Sequence, residues 1–324
     1  MTLLRRCAAA ILALSLLPAA PALAQGVYPT KPIRLVVPFT PGAGTDTVAR
    51  FVAQKLSERM GQQVVVENRT GAGGAIGAAE VAKAEPDGYT LLFVASPFTT
   101  VAASAKNPGY DPVGQFVPVA PIASGPLAFV VNPAVPATTM REFVELARRE
   151  PGKLNYGSAG PGSVNHLALE LLMARTGTTI VHVPYRGIAD ATKDLIAGTL
   201  QAMTASIPAA LPLAADKRVR VLAVTGPKRI PQMPDVPSWQ EQGVANAEVI
   251  NYWGIVAPAG TPREIVARLN AEVQKMLANP EIRERLEKDG VEQTPGGPER
   301  MQAFIASDLA SWKKPTVDAK LVLE

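Results

Sequence analysis

The chain has 324 residues, of which 47% are apolar and 19% charged, with a formal net charge of +4. That length suits two domains better than one, and the apolar fraction excludes wholesale disorder. Without Arg5 and Arg6 in a cleaved leader, the 32 basic residues stand almost even with the 28 acidic ones, which argues against nucleic-acid binding through a basic surface.

Residues 1–24 read as an export signal. Arg5 and Arg6 supply the positive start, an apolar run follows over 8–17, and Ala22-Leu23-Ala24 has the small-x-small form of a cleavage site. The apolar run is too short to span a membrane. Cys7, the single cysteine, falls inside this leader, so a mature chain starting near Gln25 has neither disulfides nor thiolate metal sites. Next come strand-like runs at 33–37, 64–67 and 89–95, separated by helical patterns at 45–60 and 75–84. This βαβαβ order implies a parallel sheet covered by helices. A second α/β series begins near 127. It has strands predicted at 127–131, 154–158, 179–183, 200–205 and 219–225, and helices at 139–149, 164–175 and 189–197. Strand character returns at 252–257. Thr261-Pro262-Arg263-Glu264 reads as a capping box, with Thr261 as the N-cap and Pro262 at the first helical position. Further helices are expected after Pro280 and Pro298. Two such units predict two lobes with a cleft between them.

Glycine loops carry the functional signal. The loop 37–46 joins the first strand to the first helix, and Gly42, Ala43 and Gly44 let the backbone approach another molecule closely. Helix-start N–H groups lack intrahelical partners and carry the positive end of the helix dipole, so such a loop holds an anion without a basic side chain, or is simply a turn. Asp46 is expected to brace this loop and not to touch an anion. The loop 156–166 adds the hydroxyls of Ser158 and Ser163, the latter also a natural N-cap. A third glycine stretch, 67–80, misses the dinucleotide spacing, because Ile76 stands where glycine is required; close helix packing is the alternative. No phosphate-binding loop and no nucleophile elbow is present. His166 and Glu170 share a helix face but lack a third metal ligand, and with two histidines in all, no catalytic residue, metal or cofactor is assigned.

The segments YPTKPIRLVVPFTPGAGTDTVAR, VVVENRTGAGGAIG, PDGYTLL, LNYGSAGPGSVNHLALELL, HVPYRGIADATKDLIAG and YWGIVAPAGTP occur in that order across the chain. With them the chain resembles the substrate-binding proteins of tripartite tricarboxylate transporters, the Bug receptors. The resemblance implies an α/β, two-lobed periplasmic binding protein of the type II, Venus-flytrap fold. Lobe 1 would comprise 25–126 and 251–324, and lobe 2 would comprise 127–250. It implies a monomer that captures a small carboxylate through backbone N–H groups, hydroxyls and water, for transient delivery to membrane transporter subunits. In this sequence the implied ligand-binding residues are Phe39, Pro41, Gly42, Ala43, Gly44 and Thr45 in one lobe, and Ser158, Ala159, Gly160, Gly162 and Ser163 in the other. Ser96, Pro184 and Tyr185 are implied wall residues. Alanine at 43, where the family often has glycine, raises the question of the local backbone. Two rival outputs stay open at this point: signalling to a membrane sensor kinase, and an exported hydrolase.

Overall fold

The computed structural model describes residues 28–244 and 247–318, so the leader expected over 1–24 lies outside the described residues. Residues 1–30 and 31–324 separate as two units, and the elements below belong to the second. β1 (Ile33–Val37) lies between β2 (Val64–Asn68) and β3 (Thr90–Ala95), parallel to both. A strand flanked on both edges and covered by helices is mostly apolar, which is why Ile33, Leu35, Val36 and Val37 are fully buried, while half-buried Arg34 between them pairs with Glu67 and Glu80. α1 (Gly44–Met60) connects β1 to β2. A short 3-10 turn at Ala72–Gly74 and α2 (Ala75–Val81) lead to β3, which runs into α3 (Pro97–Ser104).

β4 (Phe116–Val131) is the element that joins the two parts of the sheet. Its residues 116–126 pair antiparallel with β9 (Ile250–Pro258), and its residues 127–131 pair with β7 (Ala202–Ser206). β3 pairs with the other edge of β9. Beyond β7 come β5 (Asn155–Ser158) and β6 (Val181–Pro184), parallel to one another, while β8 (Arg220–Val224) pairs with β4. The second series is completed by α4 (Met140–Arg149), α5 (Val164–Thr176), α6 (Ile188–Ala197) and α7 (Ile207–Ala215). α8 (Arg263–Leu277), α9 (Pro280–Lys288), β10 (Glu292–Gln293) and α10 (Pro298–Asp318) return the chain to the first part, where Met301 and Ile305 of α10 pack with Val36, Leu92 and Val256. The second part has its own core, built around Phe129, Phe143, Tyr156 and Trp239. These two cores, joined by one long strand and its partner, make the fold a two-lobed α/β binding protein.

The pattern over 127–131 marked only the end of β4. Pro118, Pro121 and Pro126 hid the rest, because proline normally argues against a central strand. The sheet accommodates them with register shifts between Pro118 and Ala120 and between Pro121 and Ala123. Local sequence pattern does not reveal α3 and α7 either. Each is short and carries proline, Pro97 at the start of α3 and Pro208 and Pro212 within α7. The capping box at 261–264 does not form. Thr261 Oγ1 donates to the Pro258 carbonyl at 2.8 Å, Pro262 lies before the helix, and α8 begins at Arg263 without a side-chain cap. In the third glycine stretch, a Cβ at Gly77 would fall 2.8 Å from Pro38 Cβ and 2.9 Å from the Arg69 carbonyl, so this glycine serves close packing of α2.

Candidate ligand-binding site

β1, β3, β5, β6 and β7 each feed directly into a helix: α1, α3, α5, α6 and α7 respectively. The first turns of these five helices, or the residues capping them, converge on one cavity of about 430 Å³. They contribute Gly44, Thr45 and Thr47 from α1, Pro97 from α3, Val164 and Asn165 from α5, Ile188 and Ala189 from α6, and Ser206, Pro208 and Ala209 at the start of α7. A crevice at the carboxyl ends of strands is where open α/β sheets bind ligands. Among the described residues, no Asp, Glu, Lys, Arg or His lines this cavity. Helix N-termini, each equivalent to roughly half an elementary charge, are therefore what this cavity has to attract an anion.

The loop before α1 is braced from within. Asp46 is buried, and its Oδ2 accepts from Gly42 N at 2.9 Å and from Arg50 Nε at 2.8 Å, while Oδ1 accepts from Asn68 Nδ2 at 2.8 Å. Burial works against the Asp46 charge, but these hydrogen bonds outweigh it and hold the carboxyl below its ordinary range. The Gly42 N–H is thereby committed to the brace. The donors left at the helix start are the N–H groups of Gly44 and Thr45, which have no intrahelical acceptor. Ala43, the helix N-cap, sits at φ −68°, ψ 156°, an extended conformation that alanine adopts without strain. The Thr45 hydroxyl accepts from Trp253 Nε1 at 3.1 Å, leaving its own proton for the cavity.

The loop before α5 is internally bonded to a greater degree. Ser158 Oγ accepts from Gly160 N at 3.0 Å, His166 Nδ1 accepts from Gly162 N at 3.2 Å, and Ser163 N donates to the Gly160 carbonyl at 3.2 Å. Ser163 caps α5 by accepting from His166 N at 3.4 Å. Ser158 is fully buried and its hydroxyl lies 2.6 Å from His182 Nε2. This loop thus presents Ala159 and the first residues of α5 to the cavity, and not its serines.

Of the residues singled out from sequence, Phe39, Gly42, Ala43, Gly44, Thr45 and Ala159 line this cavity. Pro41 and Pro184 are exposed elsewhere, and Tyr185 donates to Asp194 Oδ2 at 2.6 Å. Ser96 is a brace: its N–H donates to Asn251 Oδ1 at 3.3 Å, and its hydroxyl donates to the Ile250 carbonyl and accepts from Tyr252 N. With Oδ1 so engaged, the Asn251 NH₂ group is free to donate into the cavity that Asn251 lines. Asn251 and Ser206 were not found from sequence. The signal for Asn251 was an amide in an otherwise apolar strand; Ser206 gave none, since its role depends on Gly44 approaching from the other lobe. A Cβ at Gly44 would stand 2.0 Å from Ser206 Oγ. A second contact between the two parts of the fold, outside the cavity lining, is the hydrogen bond from Thr100 Oγ1 to the Gly162 carbonyl at 2.7 Å.

Two lobes, a cavity at the strand ends of both, and helix N-termini in place of charged side chains define a solute-binding protein of the periplasmic type. Residues 48–320 match the model of the tripartite tricarboxylate transporter family receptor. A protein from the tcbD-tcbE intergenic region of Pseudomonas sp. (strain P51) is 40% identical over 295 residues, covering 91% of this chain and 88% of its own length. The chain belongs to the tripartite tricarboxylate transporter receptor family. Among solved structures, the periplasmic binding protein BugD is similar with TM-score 0.89 and 33% identity, over 92% of this chain and 100% of its own. An R. palustris protein solved with adipate has TM-score 0.88 and 37% identity, over 90% and 98% of the two chains. MatC from Rhodopseudomonas palustris, solved with bound malate, has TM-score 0.86 and 30% identity, over 89% and 100%.

Proposed function

We propose that the protein captures a small carboxylate in the periplasm for a membrane transporter of the tripartite tricarboxylate type, and performs no chemistry on it. The observation that carries this reading is the convergence of five helix starts on a cavity that no ionisable side chain lines among the described residues. Such a site attracts an anion and supplies oriented N–H donors, and its Thr45 and Ser206 hydroxyls have no general base among the lining residues to activate them. The one close serine–histidine pair, Ser158 and His182, is spent inside the loop, with Ser158 fully buried and outside the cavity lining. The adipate and malate held by the two similar structures support a carboxylate as the ligand class.

In this reading residues 1–24 are a cleaved export signal, and the mature chain is a monomer with lobe 1 at 25–126 and 251–324 and lobe 2 at 127–250. The hinge is then the point in β4 where pairing changes from β9 to β7, between Pro126 and Leu127. Ligand favours the closed form because only there do α1 and α5 reach it together. Thermal denaturation of the purified protein against a panel of carboxylates, amides and sugars tests the reading. A cognate carboxylate at about 100 times its Kd adds roughly 2.7 kcal/mol of stability. Stabilisation by uncharged solutes alone overturns the proposal.

A further inference from the structure

We propose that Thr40 works against closure of the empty protein, so that the lobes stay apart until a ligand holds them together. The proposal rests on the two-lobed closure described above and adds a positioning residue to it. Thr40 lies in the loop between β1 and α1 and packs on Gly187, the N-cap of α6 in the other lobe. A Cβ at Gly187 would stand 2.2 Å from Thr40 Cγ2 and 2.8 Å from Thr40 Oγ1. Gly187 is extended, at φ −170° and ψ 159°, a conformation that any residue adopts. Glycine is therefore needed at this position for room and not for backbone freedom.

The contact fits in shape but not in polarity. Thr40 Oγ1 is shut off from solvent and has no hydrogen-bond partner among the described residues. Thr40 is also absent from the lining of the ligand cavity, so a bound molecule does not pair with it. When Gly187 withdraws, water reaches the hydroxyl. Closure thus exchanges a hydrated hydroxyl for an unpaired buried one, which is unfavourable. Thr100 is its counterpart, because its hydroxyl finds the Gly162 carbonyl at 2.7 Å when the two parts meet. One threonine favours the closed form and the other opposes it. The opposing one lowers the closed population of the empty protein, and ligand contacts make up the difference. A partner that recognises the closed form then meets few empty receptors.

Paramagnetic relaxation enhancement on the ligand-free protein tests this. A nitroxide is placed at Ile76→Cys, an exposed position of α2, in a Cys7→Ser background, and amides 160–164 of the other lobe are observed. Thr40→Val keeps the side-chain shape and deletes the hydroxyl. It is expected to shift the open-to-closed ratio toward closed by at least about fivefold. Thr40→Ser keeps the hydroxyl and should show no such shift. Gly187→Ala fills the seat from the other side and should lower the closed fraction by at least about fivefold. A closed fraction that is unchanged or reduced in Thr40→Val, an equal rise in Thr40→Ser, or an unchanged fraction in Gly187→Ala overturns the proposal. None of these outcomes touches the carboxylate reading, which stands or falls on the solute panel.

Discussion

Gly44 and Ser206 belong to different lobes and meet at the edge of the cavity, leaving no space for a Cβ. Gly44 is not among the glycines with positive φ, so alanine costs nothing in backbone conformation there and everything in the contact with Ser206. Gly44→Ala is therefore expected to retain the fold and to weaken carboxylate binding at least about tenfold, because the lobes stop short of closure. Adding Ser206→Gly removes the obstructing hydroxymethyl group and should recover part of the loss. Titration calorimetry on the single and double variants checks both outcomes, and full affinity in Gly44→Ala would remove this contact from closure. Asp46 was legible as a loop brace because its partners Gly42 and Arg50 are local. Asn251 was not legible as a donor, because its orientation depends on Ser96, far away in the chain.

At the scale of elements, both histidines of the chain sit under the second binding loop, where α5, β5 and β6 pack together. His166 and His182 stack at 4.1 Å between ring centroids, and Tyr156 stacks on His182 at 4.9 Å. Burial pushes both histidines down to about 4, and for His166 the neighbouring His182 adds to the effect. In the unfolded chain they titrate near 6.5. Between those limits the unfolded state binds protons that the folded state refuses. Their contribution to stability is complete above pH 6.5 and declines as pH falls toward about 4, by roughly 1.4 kcal/mol per pH unit for each histidine. Glu170, which accepts from the Tyr156 hydroxyl at 2.7 Å and lies 3.6 Å from His166 Nε2, is raised by burial, and its contribution runs the opposite way, falling as pH rises above the ordinary carboxylate range. Urea denaturation across this window should show a slope lowered by about 1.4 kcal/mol per pH unit in His182→Gln. An identical slope in the variant would exclude the pair as its source. The helical placement of His166 was readable from spacing; its stacking on His182 was not, because β6 reaches it only through the tertiary fold.

At the scale of the whole molecule, closure joins two separately cored lobes through few polar contacts. One is the hydrogen bond from Thr100 Oγ1 of α3 to the Gly162 carbonyl beside α5. Valine keeps the shape of threonine and deletes the donor, leaving the buried carbonyl unpaired. Thr100→Val is expected to raise the Kd for carboxylate by about five- to tenfold, near 1 kcal/mol, with a smaller effect on unfolding of the ligand-free protein. Parallel measurement of Kd and of denaturant midpoint separates these. Equal losses in both would make the bond a general stabiliser and not part of closure.

The element order, the glycine loops and the family landmarks were properties of the sequence alone, because strand and helix periods, caps and turn residues are written over short stretches of chain. β1 as a doubly buried strand, Ser163 as the cap of α5 and the helices after Pro280 and Pro298 all follow from such local chemistry. The proline-bearing β4 and α7 went against the same rules, and only pairing of β4 with β9, β7 and β8 and packing of Ile207 and Ala210 with Val130, Leu195 and Met203 explain them. The tertiary structure also decided which groups of the loops remain free to bind. Gly42, Gly160 and Gly162 give their N–H groups to Asp46, Ser158 and His166, whereas Asn251 and Ser206 enter the cavity from strands distant in the chain. A hydrogen-bond donor is available to a ligand only when nothing in the protein has already taken it, and that is settled by neighbours in space.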